Sequence, residues 1–276
     1  MATSTLFTLP IPTTPTTTGT GSIVCTTPSP GIYLLTFTSP PDNRLVTAVC
    51  QTFLLALDIL EFSHPPGVVI TTSGIPKFYS NGLDLQHATS TPGYWPNTLF
   101  ALWRRLLTYP MPTIALLNGH AFAGGLMLAM YHDYRIFNPT RGFLCLNELD
   151  LGVPLKPPMA SIFRQKLPAA TFQKLVLEAK RFTAKEALDA GLVDALGGMD
   201  ELLGFVRERK LTEKTRGGVY GVLRAEMWRE TLGYLDGFEE GERRDREFGR
   251  EEARRETEGR RRVDEWEKSG KGKAKL

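Results

Sequence analysis

Two glycine-containing segments carry the residue types best suited to chemistry. The first, KFYSNGLDL (Lys77 to Leu85), lies between a strand-like and a helix-like stretch. The second, NGHAFAGGLMLAMYHD (Asn118 to Asp133), breaks an apolar run at Asn118-Gly119 and opens a helix near Gly124-Gly125. Glycine at a helix start lets a ligand approach backbone N–H groups that lack a partner within the helix, and the helix dipole favours negative charge there. If the two segments meet, two such N–H groups converge on one developing oxyanion. The Gly124-Gly125 pair would serve close helix packing equally well, and spacing alone does not separate the two readings. A phosphate-cradling loop is disfavoured, because neither G-x-x-x-x-G-K-[ST] nor G-x-G-x-x-G after a strand occurs. No G-x-S-x-G elbow supports a Ser-His-Asp arrangement, so His120 and His132 are expected to be satisfied by backbone rather than to act on substrate.

The elements that must position these segments alternate. IYLLTFTSP (Ile32 to Pro40) is β-branched and aromatic, and closes in a Pro-Pro turn, which suits a strand. Val49, Phe53, Leu57 and Leu60 then recur at helical spacing and stop before His64-Pro65-Pro66. GVVITTSG (Gly67 to Gly74) reads as a second strand, residues 99–107 as a helix ended by Pro110 and Pro112, and TIALLN (Thr113 to Asn118) as a buried strand. HAFAGGLMLAMYHD reads as a helix, YRIFN as a strand, and GFLCLNELDLG as a short strand with a loop. Several helices follow between Ala160 and Leu196, where Thr183 and Glu186 make a capping box. The order predicts an α/β domain with parallel strands.

Length and charge narrow the classes further. A chain of 276 residues, 42% hydrophobic, suffices for one sizeable core with an appended helical piece. The net charge of +3 argues against a nucleic-acid binder. No segment reaches the roughly 18 apolar residues a membrane span needs. Cys25, Cys50 and Cys145 are odd in number and far apart, so no disulfide framework or zinc site is expected; they read as buried small hydrophobes. Residues 1–30 are rich in Thr and Pro and predict a flexible extension. From Asp236 onward the chain carries thirteen Lys/Arg and thirteen Asp/Glu, with acid-before-base pairs four apart such as Glu256/Arg260 and Glu258/Arg262. These predict a solvated helix, interrupted or frayed at Gly241, Gly249 and Gly259. The terminus, Ala274-Lys275-Leu276, is similar to the small-basic-leucine peroxisomal address.

The succession FYSNGLDL, PMPTIALLNGHAFAGG, HDYRI, NELDLG and RFTAKEALDAGLVD resembles the enoyl-CoA hydratase/isomerase (crotonase) family over about Gly31 to Leu203. Within that family, the run from Tyr109 to Gly152 most resembles the peroxisomal Δ3,Δ2-enoyl-CoA isomerases. The resemblance implies a crotonase-like ββα spiral core over residues 31–203, a C-terminal helical region with a charged helix over 204–268, and a flexible tail over 269–276. It implies an enoyl-CoA thioester as substrate, no cofactor beyond the CoA that is part of it, no metal, and assembly as a homotrimer or hexamer. With the AKL terminus it implies a peroxisomal import receptor as partner and the peroxisome as location.

Site residues follow from the same resemblance. The oxyanion hole would use the backbone N–H groups of Leu83 and Gly124, with Ser80, Asn81, Gly82 and Asp84 lining the substrate channel. Glu148 would be the catalytic acid/base. Hydratases of the family carry a glutamate three residues after the helix glycine, where this chain has Met127. Hydration uses two carboxylates, whereas a 1,3-proton shift needs one, so the resemblance points to an isomerase. Related dienoyl-CoA isomerases use acids at positions occupied here by Met127 and Lys156. Asp150 is the nearest spare carboxylate; on a strand-like stretch it would share a side with Glu148, and its expected role is structural. Other family activities (hydratase, thioesterase, lyase) and non-catalytic acyl-CoA binding are the alternatives.

Overall fold

The computed structural model describes residues 4–13 and 19–269. Its strands are β1 (Ser4–Ile11), β2 (Gly21–Ser29), β3 (Ile32–Thr38), β4 (Val68–Ser73), β5 (Phe78–Ser80), β6 (Thr113–Leu117), β7 (His120–Phe122), β8 (Tyr134–Phe137), β9 (Leu144–Cys145) and β10 (Ala195–Leu196). The helices are α1 (Thr47–Ser63), α2 (Leu85–Ser90), α3 (Phe100–Leu107), α4 (Gly124–Met130), α5 (Glu148–Leu151), α6 (Pro157–Lys166), α7 (Ala169–Leu177), α8 (Ala184–Asp189), α9 (Met199–Glu208), α10 (Tyr220–Met227), α11 (Arg229–Asp236) and α12 (Phe238–Lys268).

The main sheet runs β1-β2-β3-β4-β6-β8-β10, and β5-β7-β9 form a second sheet. From β3 onward neighbouring strands of the main sheet are parallel, and so are all pairs of the small sheet. After α1 the chain repeats one course three times, placing a strand in the main sheet, a strand in the small sheet and then helix: β4-β5-α2, β6-β7-α4, β8-β9-α5. This is the expected strand–strand–helix spiral.

Burial explains why these segments are strands. Every residue of β4 and β6 is buried, as expected of parallel strands covered on both faces. On one face Ile32, Val68, Ile70, Ile114 and Ile136 pack with Leu202 and Phe205 of α9. On the other, Phe53 of α1 meets Phe37 edge to face, with ring centroids 5.0 Å apart. Helix α1 buries Val49, Phe53, Leu57 and Leu60 and ends at His64 in extended backbone, the conformation that the following Pro65 imposes. The Thr183–Glu186 capping box forms, Glu186 Oε2 accepting from Thr183 N at 2.9 Å.

Three expectations are corrected. The described stretches of residues 1–30 are not a flexible extension: β1 and β2 pair antiparallel and extend the sheet from β3. Their alternation buries Ile23 and Cys25 completely while β1 stays largely exposed as an edge; the threonines that read as disorder are β-branched strand formers. Second, the loop and the helix assigned around the two glycine segments each begin with a strand residue run, β5 and β7. The compact unit extends to Asp236 and so takes in the helices α10 and α11. Arg224 of α10 is buried there, donating to Tyr109 O at 3.0 Å and pairing with Asp133, and Thr231 of α11 meets Ser161 at 2.8 Å.

Gly237–Leu276 form a separate unit. In it α12 is continuous through all three glycines, against the expected interruptions. Glu240–Arg243, Glu256–Arg260 and Glu258–Arg262 pairs span two of those glycines, and such pairs each add a few tenths of a kcal/mol. The AKL terminus lies outside the described residues. Among the described residues no helix is long and apolar enough to cross a membrane.

Candidate active site

All three expected reactive groups lie just past the carboxyl ends of parallel strands of the small sheet. Leu83 follows β5 (ending at Ser80), Gly124 follows β7 (ending at Phe122), and Glu148 follows β9 (ending at Cys145). The carboxyl ends of parallel strands are where ligands gather in open α/β sheets. The register Phe122↔Cys145 and the bond from Ala123 N to Cys145 O, 3.0 Å, tie the second and third loops together.

The first loop is tethered without using the Leu83 N–H. Ser80 Oγ donates to Asn43 O (2.7 Å) and accepts from Gly82 N (3.1 Å). Gly82 O accepts from Leu45 N (2.9 Å), and Asn81 donates through its backbone to Asp42 O and through its side chain to Asp42 Oδ2 (2.7 Å). Arg44 Nη1 donates to Leu83 O (3.0 Å), and Asp84 caps α2 by accepting from His87 N (2.9 Å). Gly82 adopts φ +87°, and a Cβ there would lie 3.0 Å from Gly124 N. A Cβ on Gly124 would lie 3.3 Å from Leu83 N. The two segments therefore approach closely at these amides, and among the described residues neither N–H has an acceptor.

The two readings of the glycine pair divide between its members. A Cβ on Gly125 would lie 2.2 Å from Ser80 O, so Gly125 serves the close packing of α4 on β5. Gly124 faces Leu83 instead. Ala123, which precedes them, holds φ +49° and ψ −123°, a strained backbone for a residue with a Cβ.

Glu148 is 8% exposed, and its Oε2 is buried with no hydrogen-bond partner among the described residues. Burial pushes its carboxyl up to about 7. It opens onto a cavity of about 210 Å³ whose other walls include Leu146, Val153, Leu155, Val176 and Leu177. Val176 and Leu177 come from α7, nearly thirty residues downstream, and no local pattern singled them out as pocket residues. Asp150 does not share a side with Glu148: the stretch is the helical turn α5 rather than a strand, and Asp150 is exposed.

The remaining candidates are structural. Met127 is buried within α4, its N–H donating to Ala123 O. Lys156 Nζ lies 5.1 Å from the centre of the Trp95 ring. His132 is fully buried between Thr71 Oγ1 and Leu128 O, each 2.9 Å away, and burial lowers it to about 3. His120 Nδ1 accepts from Phe143 N at 3.0 Å. The three cysteine thiols are buried, and burial raises each.

Comparison with known proteins gives a consistent set. Residues 27–220 match the enoyl-CoA hydratase/isomerase domain family. The chain is 33% identical over 229 residues to enoyl-CoA delta isomerase 2, peroxisomal, of Arabidopsis thaliana, covering 77% of this chain and 95% of that protein. It is 29% identical over 178 residues to enoyl-CoA delta isomerase 1, mitochondrial, of Mus musculus, covering 62% and 61%. Among solved structures, an enoyl-CoA hydratase/isomerase family protein of Pseudomonas syringae superposes with a TM-score of 0.64 at 27% identity, covering 75% of this chain and 91% of that one.

Proposed function

This chain belongs to the enoyl-CoA hydratase/isomerase family, and we propose that it moves a cis-3 or trans-3 double bond of an enoyl-CoA thioester to trans-2. The observation that carries the reading is Glu148: one buried carboxylate with an unpartnered oxygen, and a buried methionine, Met127, where the resemblance places a second carboxylate in hydratases. The relatives named enoyl-CoA delta isomerase support the same reaction.

Glu148 removes a proton from C2, and the C–H electron pair moves toward the thioester carbonyl. The resulting dienolate oxygen accepts hydrogen bonds from the Leu83 and Gly124 N–H groups. Protonated Glu148 then returns the proton at C4, the electrons close the C2–C3 double bond, and the carbonyl reforms. A carboxyl with affinity near pH 7 suits both halves of this exchange, since it must hold and release the same proton. The shift is redox-neutral and consumes no water. The apolar wall of Leu146, Val153, Leu155 and Val176 suits the acyl chain, and Ser80, Asn81, Gly82 and Asp84 line the approach of the thioester.

The Ala274-Lys275-Leu276 terminus and the plant relative named as peroxisomal support a peroxisomal location, reached through an import receptor that reads that terminus. A fluorescent fusion with and without the last three residues tests this directly. The resemblance also supports assembly as trimers or pairs of trimers, which sedimentation of the purified protein measures.

The reaction is tested by supplying 3-hexenoyl-CoA and, separately, trans-2-hexenoyl-CoA to the purified protein. Formation of the 2-enoyl thioester without its hydration is expected. Robust hydration of the 2-enoyl substrate would overturn the single-carboxylate argument.

A further inference from the structure

Helix α12 buries none of its residues, yet it is not uniformly polar. Phe248 and Trp266 are 64% and 52% exposed. Three glycines sit in its interior, each a weaker helix former than alanine. Nothing within the described residues requires two of them. A Cβ on Gly249 would meet nothing within 4 Å, and one on Gly259 only the tip of Arg262 at 3.9 Å.

Positions 241, 245, 248, 252, 255, 259, 262 and 266 follow one another at alternating spacings of four and three, the seam by which two helices pack together. Their residues are Gly241, Asp245, Phe248, Glu252, Arg255, Gly259, Arg262 and Trp266. Reversing the helix about the point between Ala253 and Arg254 maps this set onto itself. Each member then meets a complement: Trp266 meets glycine 241, Phe248 meets glycine 259, Asp245 meets Arg262, and Glu252 meets Arg255.

We infer that α12 is built to pair antiparallel with α12 of a second copy of this chain, its two large aromatics seated over the partner's glycines. A parallel pair in register would instead set Asp245, Glu252, Arg255 and Arg262 each against its own like charge. The halves of the helix differ in the same sense. Residues 238–253 carry seven acids and four bases, residues 254–268 five acids and six bases, so opposite ends attract when the helices run in opposite directions. On one flank of the seam Arg244 meets Glu265. Glu251 meets Glu258 there too, a like-charge contact that weakens the pair. A shallow groove runs along Glu252, Arg255, Gly259 and Arg262 of this seam. The inference is independent of the reaction proposed above.

Disulfide trapping on the full-length protein tests it. Asp245→Cys and Arg262→Cys are made as separate proteins, each retaining the native buried cysteines, and oxidised alone and after mixing. A covalent dimer is expected on mixing only, because position 245 lies about 25 Å along the axis from its own copy in the antiparallel pair. In the same mixture, adding Glu252→Arg to both proteins is expected to lower the yield at least ten-fold, and adding Arg255→Glu as well to restore it. Equal trapping of each variant alone, no trapping on mixing, or a yield indifferent to the charge swap would each overturn the antiparallel pairing. Circular dichroism of the variants verifies that α12 remains helical, so a lost yield reports pairing and not helix loss.

Discussion

Gly124 and Leu83 approach so closely that a Cβ on the glycine would stand 2.8 Å from Leu83 Cδ2 and 3.3 Å from its amide nitrogen. Under the proposed reaction this is the space the thioester oxygen occupies. Gly124→Ala is expected to lower kcat by about 10²–10³-fold, the usual effect of losing an oxyanion donor. Most of the structure is left intact, because the obstructing atoms belong largely to a flexible leucine. Steady-state kinetics with 3-hexenoyl-CoA, beside a thermal melt, measure the two effects separately.

Gly125 should behave in the opposite way. Its Cβ would collide with backbone, the carbonyl oxygen of Ser80 at 2.2 Å, and β5 cannot yield without disturbing the whole first loop. Gly125→Ala is therefore expected to destabilise the fold by more than about 3 kcal/mol, in the upper range for single substitutions. Denaturant unfolding measures it; a near-neutral result would mean that α4 does not pack on β5 this tightly.

Glu148→Gln is expected to lower isomerisation by about 10²–10⁴-fold, the range for general acid–base catalysis. In the unsubstituted protein the base must be ionised before it can take the C2 proton. With its carboxyl raised to about 7, kcat/KM should climb with pH up to about 7 and level off above. A profile flat from pH 5 to 8 would remove Glu148 from the role of base.

The same carboxyl links stability to pH. Its folded affinity lies above the unfolded value, so the folded state binds the proton more tightly. The associated stability is fully present below about pH 4.5 and is lost as pH rises through about 7. The cost of the ionised form at pH 8 is about 3 kcal/mol at most. Glu148→Gln should accordingly raise the melting temperature at pH 8 and have little effect at pH 4.5. Equal shifts at both values would mean that Glu148 is not desolvated as the structure has it.

Ala123 holds φ +49° one residue before the helix. Glycine takes that conformation without penalty, and relief of such strain exceeds the entropy glycine adds to the unfolded chain. Ala123→Gly should stabilise the fold by about 1 kcal/mol in urea unfolding, whereas Ala123→Val should lower both stability and activity.

The residues alone determined which chemistry-bearing groups this chain has and the order in which they occur. The strong apolar runs of β3, β4 and β6 and the helical spacing of Val49, Phe53, Leu57 and Leu60 were legible because each buries a face whose period is local. Gly82, Gly124 and Glu148 stood out through their motifs.

The short strands β5 and β7 were not legible, because three residues show no period and gain their partners only from neighbouring short strands. The strands at the N-terminus were hidden for a related reason: threonine and proline read as disorder until β3 offers an edge to pair with. Only tertiary structure brought Val176 and Leu177 to the wall beside Glu148. It also decided that Gly124 faces Leu83 while Gly125 faces Ser80. Neighbours in sequence acquire different duties there because successive helical positions point in different directions, and what each meets is set by packing between distant segments.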